Sequence, residues 1–107
     1  MNEVNKLVRD RIPEIIRVSG RRYETRILSS QEYALALSEK LLEEAKEVAE
    51  ASAEEILEEL ADVYEVVDAI AKLYGSNAEE LRQLQAAKRR SRGGFEGRVF
   101  LENFEPV

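Results

Sequence analysis

Two stretches of the chain repeat apolar residues at the helical period, and this periodicity restricts the fold more than any other feature. Over residues 30–51 the apolar side chains fill an arc of roughly 180° around a helix axis, and over residues 52–74 an arc of roughly 200°. The connection between the two stretches is very short, so two long helices are expected to pack side by side in opposite directions. The sequence therefore predicts an all-α fold, an antiparallel helical bundle.

Capping patterns set the expected helix boundaries. Ser29 and Glu32 form the S-x-x-E pattern of a helix start, and Ser52 with Glu55 repeats it before the second long helix. Gly75 is suited to the position just after a helix end. The remaining predictions are short helices over residues 11–19 and 78–90, a short strand over residues 21–28, and an extended segment after the Gly-containing turn within residues 91–107.

Chain length indicates one domain, residues 1–107, and favours self-association. A chain of 107 residues with 44% hydrophobic residues forms one core but buries a modest share of its surface. The apolar arc of the second long helix is also wider than one neighbouring helix requires. We therefore expect a homo-oligomer, a dimer or a tetramer.

Composition excludes several kinds of site and partner. The chain has no cysteine and no histidine, so disulfides and thiolate or imidazole metal sites are excluded, and any metal must bind oxygen, as Mg²⁺, Mn²⁺ and Ca²⁺ do. A net charge of −6 opposes binding to nucleic acid and to anionic membranes. No apolar run approaches the ~20 residues of a membrane span, and the N-terminus has no apolar signal-peptide core. The expected location is the cytoplasm.

Four carboxylates are placed where the two helices should meet. On the first long helix Glu44 lies at about 20°, inside the apolar arc, and Glu47 lies at its border. On the second, Glu59 lies within the arc and Asp62 at its border. Burying such charges without partners is very costly, and a bound divalent cation removes that cost. The spacing predicts a Mg²⁺ site, with Mn²⁺ as an alternative; the competing interpretation is that these acids reach solvent or pair with arginines.

A family resemblance rests on four segments. "EAKE", which contains Glu44 and Glu47, and "ELAD", which contains Glu59 and Asp62, resemble the E-x-x-E and E-x-x-D signature of MazG-like all-α nucleoside triphosphate pyrophosphohydrolases. The N-terminal "NKLVRDRIPEII" and the later "KRRSRGGF" resemble the small phosphoribosyl-ATP pyrophosphohydrolase-like branch of that superfamily. Together the similarity extends over nearly the whole chain.

The resemblance implies an α-helical homo-oligomer in which Mg²⁺ is held by these same four carboxylates. It implies hydrolysis of a nucleoside triphosphate, or a related nucleotide, to the monophosphate and pyrophosphate, with clearance of unwanted nucleotides as one such role. Eleven residues separate Glu47 from Glu59, a shorter connection than in larger relatives, which leaves base selectivity open.

Catalytic and nucleotide-binding roles follow from charge and backbone chemistry. Either Glu44 or Glu47 is expected to orient or deprotonate the attacking water, and the sequence leaves open which of them does so. Basic residues near the chain ends are expected to bind the phosphate groups of the substrate. The glycine turn at Gly93 and Gly94 offers backbone N–H groups to a phosphate. The ring of Phe95 either stacks on the nucleobase or packs against the protein. The candidate substrate-binding residues are Lys6, Arg9, Lys88, Arg92, Gly93, Gly94 and Phe95.

A non-enzymatic interpretation competes with this one. In a helical interaction module the acids would form salt bridges, and the same fold can bind a nucleotide or a metal without cleaving the nucleotide.

Overall fold

The computed structural model describes residues 3–106, and all regular structure in that range is helical. Four helices follow in order: α1 (Ile12–Val18), α2 (Ser30–Glu50), α3 (Ile56–Leu73) and α4 (Ala78–Arg92). Residues 21–28 form no strand, so that prediction was wrong; an isolated extended segment needs a neighbouring strand to pair with. The segment after α4 is neither helix nor strand as far as residue 106.

The start of α2 is confirmed in detail, whereas the start of α3 differs from the prediction. The Ser29 hydroxyl accepts a hydrogen bond from the Glu32 backbone N–H, and the Glu32 carboxylate accepts one from the Ser29 backbone N–H, each at 3.2 Å. At Ser52 it is the backbone carbonyl that accepts, from the N–H groups of Glu55 and Ile56. This turn precedes the helix, so α3 begins at Ile56 without a side-chain cap.

The end of α3 follows the expected glycine pattern. Gly75 has a φ of +76°, and its N–H donates to the carbonyl of Lys72, while the N–H of Ser76 donates to the carbonyl of Ala71. This is the Schellman pair of hydrogen bonds, which requires a left-handed residue that glycine adopts without a steric cost. The helix α4 then begins after Asn77, whose side-chain oxygen accepts from the Glu80 N–H at 2.9 Å.

A helical hairpin forms the centre of the molecule. The helices α2 and α3 pack against each other, and because only residues 51–55 connect them, they run in opposite directions. Leu37 on α2, which is 2% exposed, and Val66 and Ala71 on α3 are the buried apolar side chains of the described residues. The helix α4 contacts α3.

The single chain is elongated and leaves much apolar surface uncovered. Its radius of gyration is 18.3 Å, whereas a compact chain of this length has about 13 Å. Exposed apolar side chains occur on every helix and along the segment after α4. Within residues 3–106 no helix combines the length and the apolarity needed to cross a membrane.

Candidate metal-binding site

Three acidic side chains from the two long helices converge. Glu44 on α2 and Glu59 and Asp62 on α3 each place one carboxylate oxygen within 4.8 Å of the others. Glu59 and Asp62 are three residues apart, so they lie on one face of α3. Of the four carboxylates that the sequence predicts, these three form the group; Glu47 lies outside it among the described residues.

Glu44 is the buried charge of the hairpin. The residue is 7% exposed, and its Oε2 atom has no hydrogen-bond partner among the described residues. Burial raises the pKa of Glu44, and the charges of Glu47 and Asp62 raise it further, against the opposing effect of Lys40. Glu59 likewise has a buried Oε2 without a partner. Buried carboxylate oxygens without partners on two residues of one cluster are unfavourable without a cation, and carboxylate oxygens are the donors that a hard divalent cation prefers.

Lys40 supplies part of the positive charge beside this cluster, although no motif in the sequence marks it as a site residue. Its Nζ lies 3.4 Å from Oε1 of Glu44 and 3.3 Å from Oε2 of Glu43, and its side chain is 17% exposed. The spacing i, i+3 and i, i+4 on one helix is the signal that predicts these pairs. Burial alone would raise the pKa of Glu43, but hydrogen bonds from Lys6 and Lys40 outweigh it and lower that pKa.

The N-terminal segment, residues 3–11, brings two predicted nucleotide-binding residues to the hairpin. Lys6 Nζ lies 3.2 Å from Oε1 of Glu43 on α2. Arg9 Nη2 donates to Oδ1 of Asp62 on α3 at 2.7 Å. Arg9 is therefore in direct contact with one of the three clustered acids.

The other predicted substrate-binding residues lie near the end of α4 and in the turn that follows it. Lys88 precedes the last turn of α4, Arg92 ends that turn, Gly93 and Gly94 follow the helix, and Phe95 is 97% exposed. Within residues 3–106 none of them forms a hydrogen bond or ion pair with the clustered acids, and the nucleotide-binding role assigned to them stays a prediction. A neighbouring basic residue, Arg89, pairs with Glu96 across this turn.

Comparison with known proteins gives one partial match. The chain is 58% identical over 43 residues to an uncharacterized protein of Mycolicibacterium smegmatis (strain ATCC 700084 / mc(2)155). The matched stretch covers 40% of this chain and 44% of that protein, so the chain spans less than half the length of this relative. No protein-family model and no solved structure matches the chain.

Proposed function

We propose that this protein is a Mg²⁺-dependent nucleotide pyrophosphohydrolase that cleaves a nucleoside triphosphate, or a related nucleotide, to the monophosphate and pyrophosphate. The observation that carries the proposal is that two of the three clustered acids, Glu44 and Glu59, each have a buried oxygen without a partner, Oε2 in both cases. The reaction is proposed from the resemblance of the E-x-x-E and E-x-x-D segments to those of MazG-like enzymes. Mn²⁺ is the expected substitute ion, since it also prefers oxygen ligands.

The donor set fits such an ion. Three carboxylates from two helices offer oxygen ligands alone, and two of these residues have buried oxygens without partners. Glu44, Glu59 and Asp62 would hold the metal, which when bound neutralises phosphate charge and lowers the pKa of water.

We assign activation of the attacking water to Glu47 and phosphate binding to Lys6 and Arg9. Glu47 lies outside the clustered group yet is close enough for its charge to raise the pKa of Glu44, so we assign to it the orientation and deprotonation of the attacking water. Lys6 and Arg9 bring positive charge to the same side of the hairpin and would meet the phosphates.

A second candidate function rests on the ion pairs of the same cluster. Lys40 is paired with Glu44, and Arg9 is paired with Asp62, so protein cations already offset part of the acidic charge. This favours a non-catalytic interaction or nucleotide-binding module, in which the acids stabilise the hairpin and hold no metal.

Pyrophosphate release from a panel of nucleoside triphosphates with Mg²⁺ separates the two functions. The test compares the wild-type protein with Glu44→Gln and Asp62→Asn, and with Glu58→Gln as a matched control on α3. Release should require metal and should fall roughly 100-fold or more in both cluster variants, since even groups that only support a metal ligand are worth about 10–100-fold in affinity or activity. Glu58→Gln should retain most of the activity, because Glu58 is exposed on α3 and lies outside the clustered group.

No release from any nucleotide, together with a melting temperature that Mg²⁺ leaves unchanged, would refute the enzyme and support the interaction module. Metal-dependent stabilisation without turnover would instead support nucleotide or metal binding alone.

We further propose that the working form is a homo-oligomer. Exposed apolar residues on α3 recur at i, i+3 and i+7: Leu57, Leu60 and Tyr64. They form one stripe, and a second copy of the chain would remove it from water. Sedimentation equilibrium should give a dimer or tetramer, and Leu57→Glu should shift the protein towards monomer. A wild-type protein that remains monomeric at about 100 µM, where even a weak dimer forms, would refute this proposal.

A further inference from the structure

The N-terminal segment joins both helices of the hairpin at the acidic cluster. Its contacts are the pair of Lys6 with Glu43 on α2 and the pair of Arg9 with Asp62 on α3, which connect residues 37 and 53 positions apart. Between them Leu7 and Val8 are half-buried, so the segment lies against the protein surface. Arg9 is thereby positioned as a cation on an acid that the proposed metal site requires.

A guanidinium and a divalent cation compete for one carboxylate. Arg9 Nη2 is 2.7 Å from Oδ1 of Asp62, so the negative charge of Asp62 is already shared with a donor. Glu44 and Glu59, in contrast, keep buried oxygens without partners among the described residues. A metal that uses all three acids therefore lies beside the guanidinium, and the repulsion between the two cations weakens the pair of Arg9 with Asp62. Glu44 and Glu59 each offer an oxygen that has no such cation on it.

We infer that Arg9 is a resident cation of the site and that it releases Asp62 when a divalent metal binds. The inference rests on the metal site of the proposed function. Lys6 keeps the segment beside α2 through Glu43, so the released guanidinium stays close to the site and becomes available to an anionic ligand. Metal loading and the exposure of a phosphate-binding arginine are thereby one coupled event.

Because the Arg9–Asp62 pair is exposed, breaking it has a small cost in free energy. The side chains of Arg9 and Asp62 are 54% and 39% exposed, and exposed pairs alter an equilibrium by about two- to fivefold. Lys40 differs, because its side chain is 17% exposed and it contacts both Glu43 and Glu44. Lys40 therefore remains in place, and Arg9 is the cation that moves.

Calorimetric titration with Mn²⁺ or Mg²⁺ tests this competition directly. Arg9→Gln should bind the metal about two- to fivefold more tightly than wild type, because the competing cation is gone. Arg11→Gln is the matched control, since it also removes one positive charge and an exposed pair, that of Arg11 with Glu14 at 3.5 Å, while leaving Asp62 untouched. This control should bind like wild type.

The outcomes separate this inference from the function on which it rests. Equal affinity of Arg9→Gln and wild type, or an equal gain in both variants, would overturn the inference and leave the metal site standing. Absence of metal binding in all three proteins would overturn both.

A second measurement follows the guanidinium itself. The ¹⁵N signal of the Arg9 side-chain Nε, identified by its loss in Arg9→Gln, should shift during Mg²⁺ addition with the same midpoint as the calorimetric titration. A signal that stays constant at saturating Mg²⁺ would show that Arg9 keeps its partner, and would refute the exchange.

Discussion

Neutralising Glu44 should have opposite effects on stability with and without metal. In the metal-free protein the buried Glu44 carboxylate has an unpaired oxygen and lies near other negative charges. Glu44→Gln removes the charge and supplies an amide N–H that can donate to the neighbouring acids. A buried polar group without a partner costs about 1–3 kcal/mol, so we expect the metal-free free energy of unfolding to rise by about 1–2 kcal/mol. In a domain of about this size each kcal/mol corresponds to roughly 4–8 °C in melting temperature.

Added metal should reverse this order. At a Mg²⁺ concentration of about 100 times its dissociation constant, binding to the folded state stabilises the wild-type protein by about 2.7 kcal/mol. The variant should gain little, because one ligand charge is missing. The melting temperature of Glu44→Gln should therefore lie above that of wild type in EDTA and below it in saturating Mg²⁺.

The adjacent Glu43→Gln provides the matched control for this assay. Glu43 accepts hydrogen bonds from Lys6 and Lys40, and its pKa is lowered, so neutralising it removes favourable contacts. This variant should be less stable than wild type in EDTA and should keep the full response to Mg²⁺. A Glu44→Gln protein that is destabilised in EDTA, or one that responds to Mg²⁺ as wild type does, would refute the reasoning.

The stability difference between wild type and Glu44→Gln in EDTA should also depend on pH. Because the pKa of Glu44 in the folded state is raised above the ordinary value of 4.5, the folded metal-free protein binds this proton more tightly than the unfolded chain does. The contribution of Glu44 to the free energy of unfolding is therefore complete below pH 4.5, and it is lost as the pH rises through the folded-state pKa. The advantage of Glu44→Gln in EDTA should be present at pH 7 and absent at pH 4.

Two further predictions concern the scaffold. Leu37→Ala should lower the free energy of unfolding by about 2–5 kcal/mol in urea titrations, because Leu37 is 2% exposed in a small core; a loss below about 1 kcal/mol would show that the hairpin is held together elsewhere. The pKa of Glu32, measured by ¹³C NMR, should be about 2, because Arg26 and the Ser29 cap hydrogen-bond to its carboxylate. Arg26→Ala should return this pKa towards 4.5, and an unchanged value would assign the shift to the cap alone.

Local patterns in the sequence were sufficient for the helices. The Ser29–Glu32 box and the glycine at position 75 each depend on contacts within a few residues, and both are confirmed. The second box failed because Ser52 uses its backbone carbonyl, and so the helix starts at Ile56. Both arrangements satisfy the same N–H of Glu55, so the pattern alone does not distinguish them.

The acidic cluster was predictable only as far as helical geometry extends. Angular positions placed Glu44, Glu59 and Asp62 at the joint of two helices, and the structure brings these three together. The cations that pair with the cluster were not predictable in the same way. Arg9 contacts Asp62, which is 53 residues away in the chain, and nothing local in "VRDR" specifies which acid it contacts. Long-range pairs of exposed charges leave no periodic signal in a sequence.

The connection of residues 51–55 also bears on the order of folding. All three clustered acids lie on the two helices that this short loop joins, so the cluster forms by closing a small loop, which has a low entropic cost and favours rapid folding. The contacts of Lys6 and Arg9 close much larger loops and involve exposed side chains. The hairpin with its acids is therefore expected to fold as the early unit, and the N-terminal segment is expected to add last and to open first.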